Sequence, residues 1–288
     1  MKRTRGEKIF GVINIFIIAL AAGSCLLPFI HVLAKSFSDE ISVLAKEVVF
    51  VPKGFNINAY EYVINNPQYR RSMLNSVFIA TTGTALSLAL TTMTAYAFTR
   101  KDLPGKGLIV ALYIFTMFFG GGIIPTYILY SDLKLIDTYT VLILPGAIGV
   151  FNIILMRNFF ESLSPSLEES AKMDGASNFR VLLQIYLPLS KAALATIGLF
   201  CAVGRWNSFF DAVIYTTKRE MMPIQLYLRN ILSNLDNLLE MDPEQLEYVC
   251  AEGVRSATII SAVLPILLVY PLVQKYFVKG IMIGAIKE

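Results

Sequence analysis

Residues 72–99 read SMLNSVFIATTGTALSLALTTMTAYAFT, and no charged side chain falls between Arg71 and Arg100. A helix crosses roughly 30 Å of hydrocarbon with about 20 apolar residues, so this stretch is long enough for one span. It is dense in small residues, among them Gly83, Thr84, Ser87, Thr91 and Thr92. Small side chains let helices approach closely in lipid, which predicts a helix buried within a bundle. A transmembrane strand would instead alternate polar and apolar residues over about ten positions, and this stretch does not.

The same pattern repeats outward from it. Charge-free runs separate Lys8 from Lys35, Lys106 from Asp132, Asp137 from Arg157 and Arg255 from Lys275. A further apolar segment is interrupted by Arg205 and Asp211. The expected fold is all-α and integral to a membrane, a single domain over 1–288 with six transmembrane helices at about 9–34, 73–99, 107–131, 138–156, 192–216 and 258–274. Of the 288 residues 55% are hydrophobic and only 16% charged, well below the roughly 25% of a soluble domain. The first run is longer than a signal-peptide core and lacks a clean cleavage site, so it reads as a retained anchor. Basic residues gather in the segments that would face the cytoplasm if both termini do: Lys2, Arg3, Arg5 and Lys8, then Arg100, Lys101 and Lys106, then Arg157, Lys172, Arg180 and Lys191, and finally Lys275, Lys279 and Lys287. That asymmetry sets the orientation.

Between the spans, residues 35–72 carry turn formers and predict short helices and loops. Phe119-Gly120-Gly121-Gly122-Ile123-Ile124-Pro125 makes a continuous helix costly, either as a break within a span or as a simple helix end. An outer loop near 217–255 is acidic towards its end, with Asp236, Glu240, Asp242, Glu244, Glu247 and Glu252. The widely spaced Cys25, Cys201 and Cys250 suggest neither a disulfide framework nor a metal site. The lone His31 reads as a hydrogen-bonded packing residue. No nucleotide-binding GxxxxGK[ST] is present: Gly105-Lys106 precedes Gly107, and Arg100 stands where the first glycine belongs.

The long polar stretch 157–191 is the most informative of the loops. Ser164 is placed to cap a helix with Pro165 at its first position. Glu168 and Glu169 suit the positive end of its dipole. Gly175 can end it in a left-handed cap, and Ser177 can start a second helix that ends near Leu187-Pro188. The order Glu169-Ser170-Ala171, Asp174-Gly175-Ala176 and then Ile185-Tyr186-Leu187-Pro188 resembles the EAA loop of bacterial ABC importer permeases, with Ser170 in place of the usual alanine. Asn75-Ser76, Ala95-Tyr96-Ala97-Phe98, the turn Arg100–Lys106 and the ending Tyr276-Phe277-Val278-Lys279-Gly280 with Gly284-Ala285 look like the maltose-type carbohydrate permeases. Trp206-Asn207-Ser208 and Pro223–Arg229 look like a branch associated with complex oligosaccharides.

The resemblance implies a permease subunit of an ATP-driven sugar importer in the bacterial cell (cytoplasmic) membrane, with a cytoplasmic coupling helix-turn-helix between spans four and five. Glu169, Ser170, Ala171, Asp174, Gly175 and Ala176 would then dock on the ATPase. The implied partners are a second homologous permease, two ATPase domains and an extracellular sugar-binding protein, and no nucleic acid. No catalytic residue, metal or cofactor is expected in this chain, ATP and Mg belonging to the ATPase. Arg205 and Asp211 are charges within a span and usually face a cavity or partner. Six residues apart on a helix, they do not point at each other. Trp206 and Asn207 are candidates to stack on a sugar and bond its hydroxyls, and Asn152 and Tyr96 are further candidates along the path. A proton- or sodium-coupled secondary transporter is the alternative; it predicts acids at the membrane midplane, where only Asp211 stands.

Overall fold

The computed structural model describes residues 4–233 and 250–285, with side chains up to residue 271. The acidic run from Asp236 to Glu247 lies outside the described residues. Every regular element described is helical: α1 (Arg5–Ser36), α2 (Glu40–Leu44), α3 (Asn58–Asn65), α4 (Pro67–Thr99), α5 (Lys106–Phe118), α6 (Ile123–Asp132), α7 (Tyr139–Ile143), α8 (Val150–Glu161), α9 (Pro165–Met173), α10 (Asn178–Val181), α11 (Leu187–Leu189), α12 (Lys191–Asn207), α13 (Phe210–Tyr215), α14 (Ile224–Ser233) and α15 (Ala251–Ala285). A π turn, Leu182–Tyr186, joins α10 to α11. Pro188 cannot donate a backbone hydrogen bond to the preceding turn, and the ladder widens ahead of it.

Helices α1, α4 and α15 are each long and apolar enough to cross a membrane. The chain forms two compact units, Met1–Arg70 with Leu228–Leu264, and Arg71–Tyr227 with Pro265–Glu288. In the first, Thr4 and Glu7 close a reciprocal capping box at the start of α1. The apolar stretch of α1 is unburied within the chain. Its C-terminal end is fastened: the Ser36 hydroxyl pairs with that of Tyr60 at 2.8 Å, and His31 Nδ1 lies 2.7 Å from the Val49 carbonyl. Ala34, Val43, Val48 and Cys250 form a small core there, with Asp39 capping α2 through the Ser42 amide.

The second unit is built along α4, whose small face is packed as its composition predicts: Ser87, Thr91 and Thr92 are buried. One core gathers Tyr96 and Phe98 of α4, Ile153, Met156 and Phe160 of α8, Val181, Leu182 and Tyr186, and Ile197 of α12. A second gathers Ile79 of α4, Val141 and Leu142 of α7, Ala212 and Tyr215 of α13, and Leu226 of α14.

Three apolar segments of this unit are interrupted rather than continuous. Helices α5 and α6 meet at 116°, because the chain leaves helical geometry at Phe119 and Gly122 adopts φ +84°. Phe119–Pro125 therefore interrupts the helical run, as the glycines and the proline predict. Pro145 and Gly146, the latter at φ +71°, separate α7 from α8. Extended backbone at Ser208 divides α12 from α13, so the six-residue spacing of Arg205 and Asp211 is not measured along one helix.

Candidate functional site

Two constructions in the second unit carry the sequence candidates. The first is the helix-turn-helix around α9. Pro165 opens α9 and Glu168 lies in its first turn. Ser164 is the N-cap residue, in extended backbone ahead of Pro165, as expected, but it makes no side-chain capping bond; its hydroxyl pairs with that of Ser166, 2.8 Å away. At the other end Ala176 N–H donates to the Ala171 carbonyl at 2.9 Å and Gly175 N–H to Lys172 at 3.0 Å. With Gly175 at φ +75°, this is a Schellman closure. Ser177 then caps α10 by accepting from the Arg180 amide.

The two faces of α9 differ. Ala171 and Ala176 pack on the core beneath, whereas Glu169, Ser170, Asp174 and Gly175 are exposed. Met173 is 88% exposed, an apolar side chain held out from the loop. Around Gly175 a Cβ would meet nothing within 4 Å.

Sequence reasoning passed over Glu168 as a site residue. Its carboxylate, only 13% exposed, is paired with Arg100 and lies 2.7 Å from Lys172 Nζ. The Tyr186 hydroxyl donates to its other oxygen at 2.9 Å. Burial works to raise the Glu168 pKa, but the bonds from Arg100, Lys172 and Tyr186 outweigh it and hold the group at about 2. Arg100 in turn lies 4.4 Å over the ring of Tyr96 and donates to Thr99. Its own pKa is raised, since the bonds to Glu168 and Tyr186 more than offset the burial that works to lower it.

The second construction is a cavity of about 260 Å³ whose lining includes Ser87, Asn152, Cys201, Arg205 and Asp211. Arg205 donates to the Leu142 carbonyl and to Ser87 Oγ, each at 3.2 Å. It lies across Gly83: a Cβ there would come within 2.4 Å of Arg205 Cδ. Asn152 Nδ2 reaches Cys201 Sγ at 3.5 Å. Among the described residues no ion pair joins Arg205 to Asp211. Arg205, Asp211 and Asn152 thus share one cavity. The other candidates do not line it: Trp206 is buried in the fold, Asn207 is exposed, and Tyr96 belongs to the core beneath α9. Nothing in the run of Trp206 and Asn207 marked which way the helix would turn. No group of His, Cys, Asp or Glu among the described residues could hold a metal.

Residues 107–283, from the start of α5 through most of α15, match the family described as the binding-protein-dependent transport system inner membrane component. The chain belongs to that family. It is a permease of the ABC-importer type and resides in a membrane; it is not an enzyme, ATP hydrolysis lying in separate subunits. Among its relatives, Protein LplC of Bacillus subtilis is 43% identical over 289 residues, covering 100% of this chain and 98% of that one. The polygalacturonan/rhamnogalacturonan transport system permease protein YtcP of the same organism is 40% identical over 98% of this chain and 99% of its own length. A chain from the crystal structure of a bacterial ABC transporter that imports the acidic polysaccharide alginate is 34% identical, with a TM-score of 0.88 over 96% of this chain and 99% of that one.

Proposed function

We propose that this permease carries an oligosaccharide and forms half of its path through the membrane. The substrate class is supported by the relatives' polysaccharide and oligosaccharide systems and by a cavity that mixes hydrogen-bonding groups of both kinds. Arg205 and the Asn152 amide can donate, while Asp211 and the Ser76 and Ser87 hydroxyls can accept. The chain crosses six times, as α1, α4, α5 with α6, α7 with α8, α12 with α13, and α15, with both termini in the cytoplasm. The span limits are those expected from the charge-free runs.

The observation that carries the mechanism is α9. Its inner face is fixed to the core and its outer face offers Glu169, Ser170, Met173 and Asp174 beside an open Gly175. Such a helix suits docking in a cleft of an ATPase. In this reading two ATPase domains bind ATP and Mg and close, and the α9 loops of this chain and a second homologous permease move with them. The cavity then opens to an extracellular binding protein. Two states with different affinities for nucleotide and solute are all that this linkage requires.

The test is reconstitution of the complete transporter with wild-type chain or Gly175→Trp, measuring ATP hydrolysis and uptake of labelled oligogalacturonides and arabino-oligosaccharides. An added Cβ meets nothing within 4 Å, but any side chain strains the left-handed backbone at φ +75°, so assembly of the variant is measured alongside Gly175→Ala, which carries the same strain without the bulk. Loss of uptake and of binding-protein-stimulated hydrolysis in an assembled complex is expected. Full uptake by the variant overturns the docking role, and uptake of neither sugar class by wild type overturns the substrate class.

A further inference from the structure

We propose that Arg100 and Glu168 are positioning residues that make α9 and the end of α4 move as one body, so that force on the outer face of α9 reaches the cavity instead of being absorbed in the loop. The proposal rests on the docking role argued for α9.

Three segments meet at the Glu168 carboxylate. Arg100 is the first residue after α4 ends at Thr99, and its guanidinium is held from three sides. It pairs with Glu168, donates to Thr99 Oγ1 through Nε at 3.2 Å and Nη2 at 2.9 Å, and donates to the Tyr186 hydroxyl at 3.3 Å. Glu168 is in the first turn of α9. Tyr186 closes the π turn that runs into α11 and α12, and packs edge-on against Tyr96 and Phe160 at 5.1 and 5.2 Å between ring centres. One carboxylate therefore ties the coupling helix to α4 and to the approach to α12, and both of those helices line the cavity with Ser87 and Arg205.

Apolar contact through Ala171 and Ala176 is non-directional, and α9 has only nine residues. Without a directional tie, a push on Glu169, Met173 or Asp174 could roll the helix over the core. Charge-assisted bonds from a planar guanidinium fix orientation as well as distance. The Arg100 and Glu168 side chains, 16% and 13% exposed, are little screened by water. Lys172, 49% exposed, reaches the same carboxylate from within α9 and adds no link to another segment.

Cys201 supplies a readout that needs no knowledge of the solute, because its thiol lines the cavity. In a Cys25→Ala, Cys250→Ala background, the assembled transporter is labelled at Cys201 with a small maleimide, with and without ATP and vanadate, and ATP hydrolysis is measured in parallel. The chains compared are wild type at 100 and 168, Glu168→Gln, Arg100→Gln, the reversed pair Arg100→Glu with Glu168→Arg, and Gly175→Trp.

Nucleotide is expected to change the labelling rate of wild type by about 5-fold or more, the lower end of usual coupling between sites. In Glu168→Gln and Arg100→Gln that change collapses towards none while hydrolysis continues, and the reversed pair restores at least half of it. A merely structural role would lower assembly and hydrolysis together and would not separate them. If the single variants keep the full nucleotide response while Gly175→Trp loses it, the link is refuted and the docking role of α9 stands. If Gly175→Trp also keeps it, the docking role itself is refuted. Should either single variant fail to assemble, the reversed pair decides: an assembled pair without the nucleotide response overturns the proposal.

Discussion

Replacing Gly83 by alanine isolates what Arg205 does for the fold. In a helix interior, Gly→Ala ordinarily stabilises by about 1 kcal/mol. Here the new methyl would lie 2.4 Å from Arg205 Cδ, 2.5 Å from Nε and 2.7 Å from Cζ, so the whole guanidinium end must leave its bed on α4. Its two hydrogen bonds, to the Leu142 carbonyl and Ser87 Oγ, go with it. Each is a bond from a charged donor, for which about 1.5–3 kcal/mol is usual. A displaced arginine is flexible and regains part of that from water in the cavity, and the helix gains its ~1 kcal/mol from alanine, which leaves an expected net loss of about 1–3 kcal/mol. The assay is equilibrium unfolding in mixed micelles of wild type, Gly83→Ala, Arg205→Met and the double variant. Without the guanidinium the alanine has no cation to evict, so Gly83→Ala should be neutral or mildly stabilising in the Arg205→Met background. The sign of its effect therefore reverses between backgrounds. Equal destabilisation in both, or none in either, would refute the claim that Gly83 exists here to let Arg205 cross.

Other outcomes follow from the same geometry. Glu168 has its pKa depressed from 4.5 to about 2, so the stability it adds is complete above pH 4.5 and is lost as the pH falls towards 2; limited proteolysis of residues 157–191 across that window should show a step that Glu168→Gln lacks. Gly175→Ala should cost about 1 kcal/mol through its left-handed backbone alone, since the added Cβ meets nothing within 4 Å, and Gly175→Asn less, because Asn tolerates that conformation better, in the same unfolding assay. Asn75 donates to the Glu220 and Met222 carbonyls at 2.8 and 3.0 Å and accepts from the Tyr139 hydroxyl at 2.9 Å. Asn75→Ala should therefore loosen residues 216–223 at a cost of about 1–3 kcal/mol, seen as earlier protease nicking there.

What could be read from the residues is what depends on near neighbours. Charge-free runs marked the apolar helices, Pro165 and Gly175 marked the ends of α9, and Ser177 marked the next start, because each acts through backbone geometry within a few positions. Ser164 marked the N-cap position correctly, but a second serine two residues on takes its hydroxyl, so the capping bond itself is not made. What escaped depends on partners far along the chain. Arg100 and Glu168 are 68 residues apart and Arg205 and Ser87 are 118 apart, and no periodicity marks such pairs. Trp206 was chosen as an aromatic near two charges, but the rotation of α12 about its axis decides that it packs inward while Arg205 faces the cavity. The interruption at Ser208, which carries Asp211 into the same cavity on a separate helix, has neither a glycine nor a proline to announce it.

The turn between α5 and α6 bears on how this protein survives before it is assembled. Gly120 and Gly121 are exposed and lie outside both helical ladders; if α5 and α6 form one span, as proposed above, their peptide groups are a poor match for hydrocarbon, which rejects unpaired backbone. A subunit inserted alone carries that defect until another chain or a water-filled path covers it. Newly made copies should accordingly be short-lived in cells that lack the remaining subunits, and pulse-chase labelling should show their half-life lengthening once the covering chain is co-expressed. Synthesis of the transporter would then be balanced by turnover of the unassembled chain, with three glycines acting as its degradation mark.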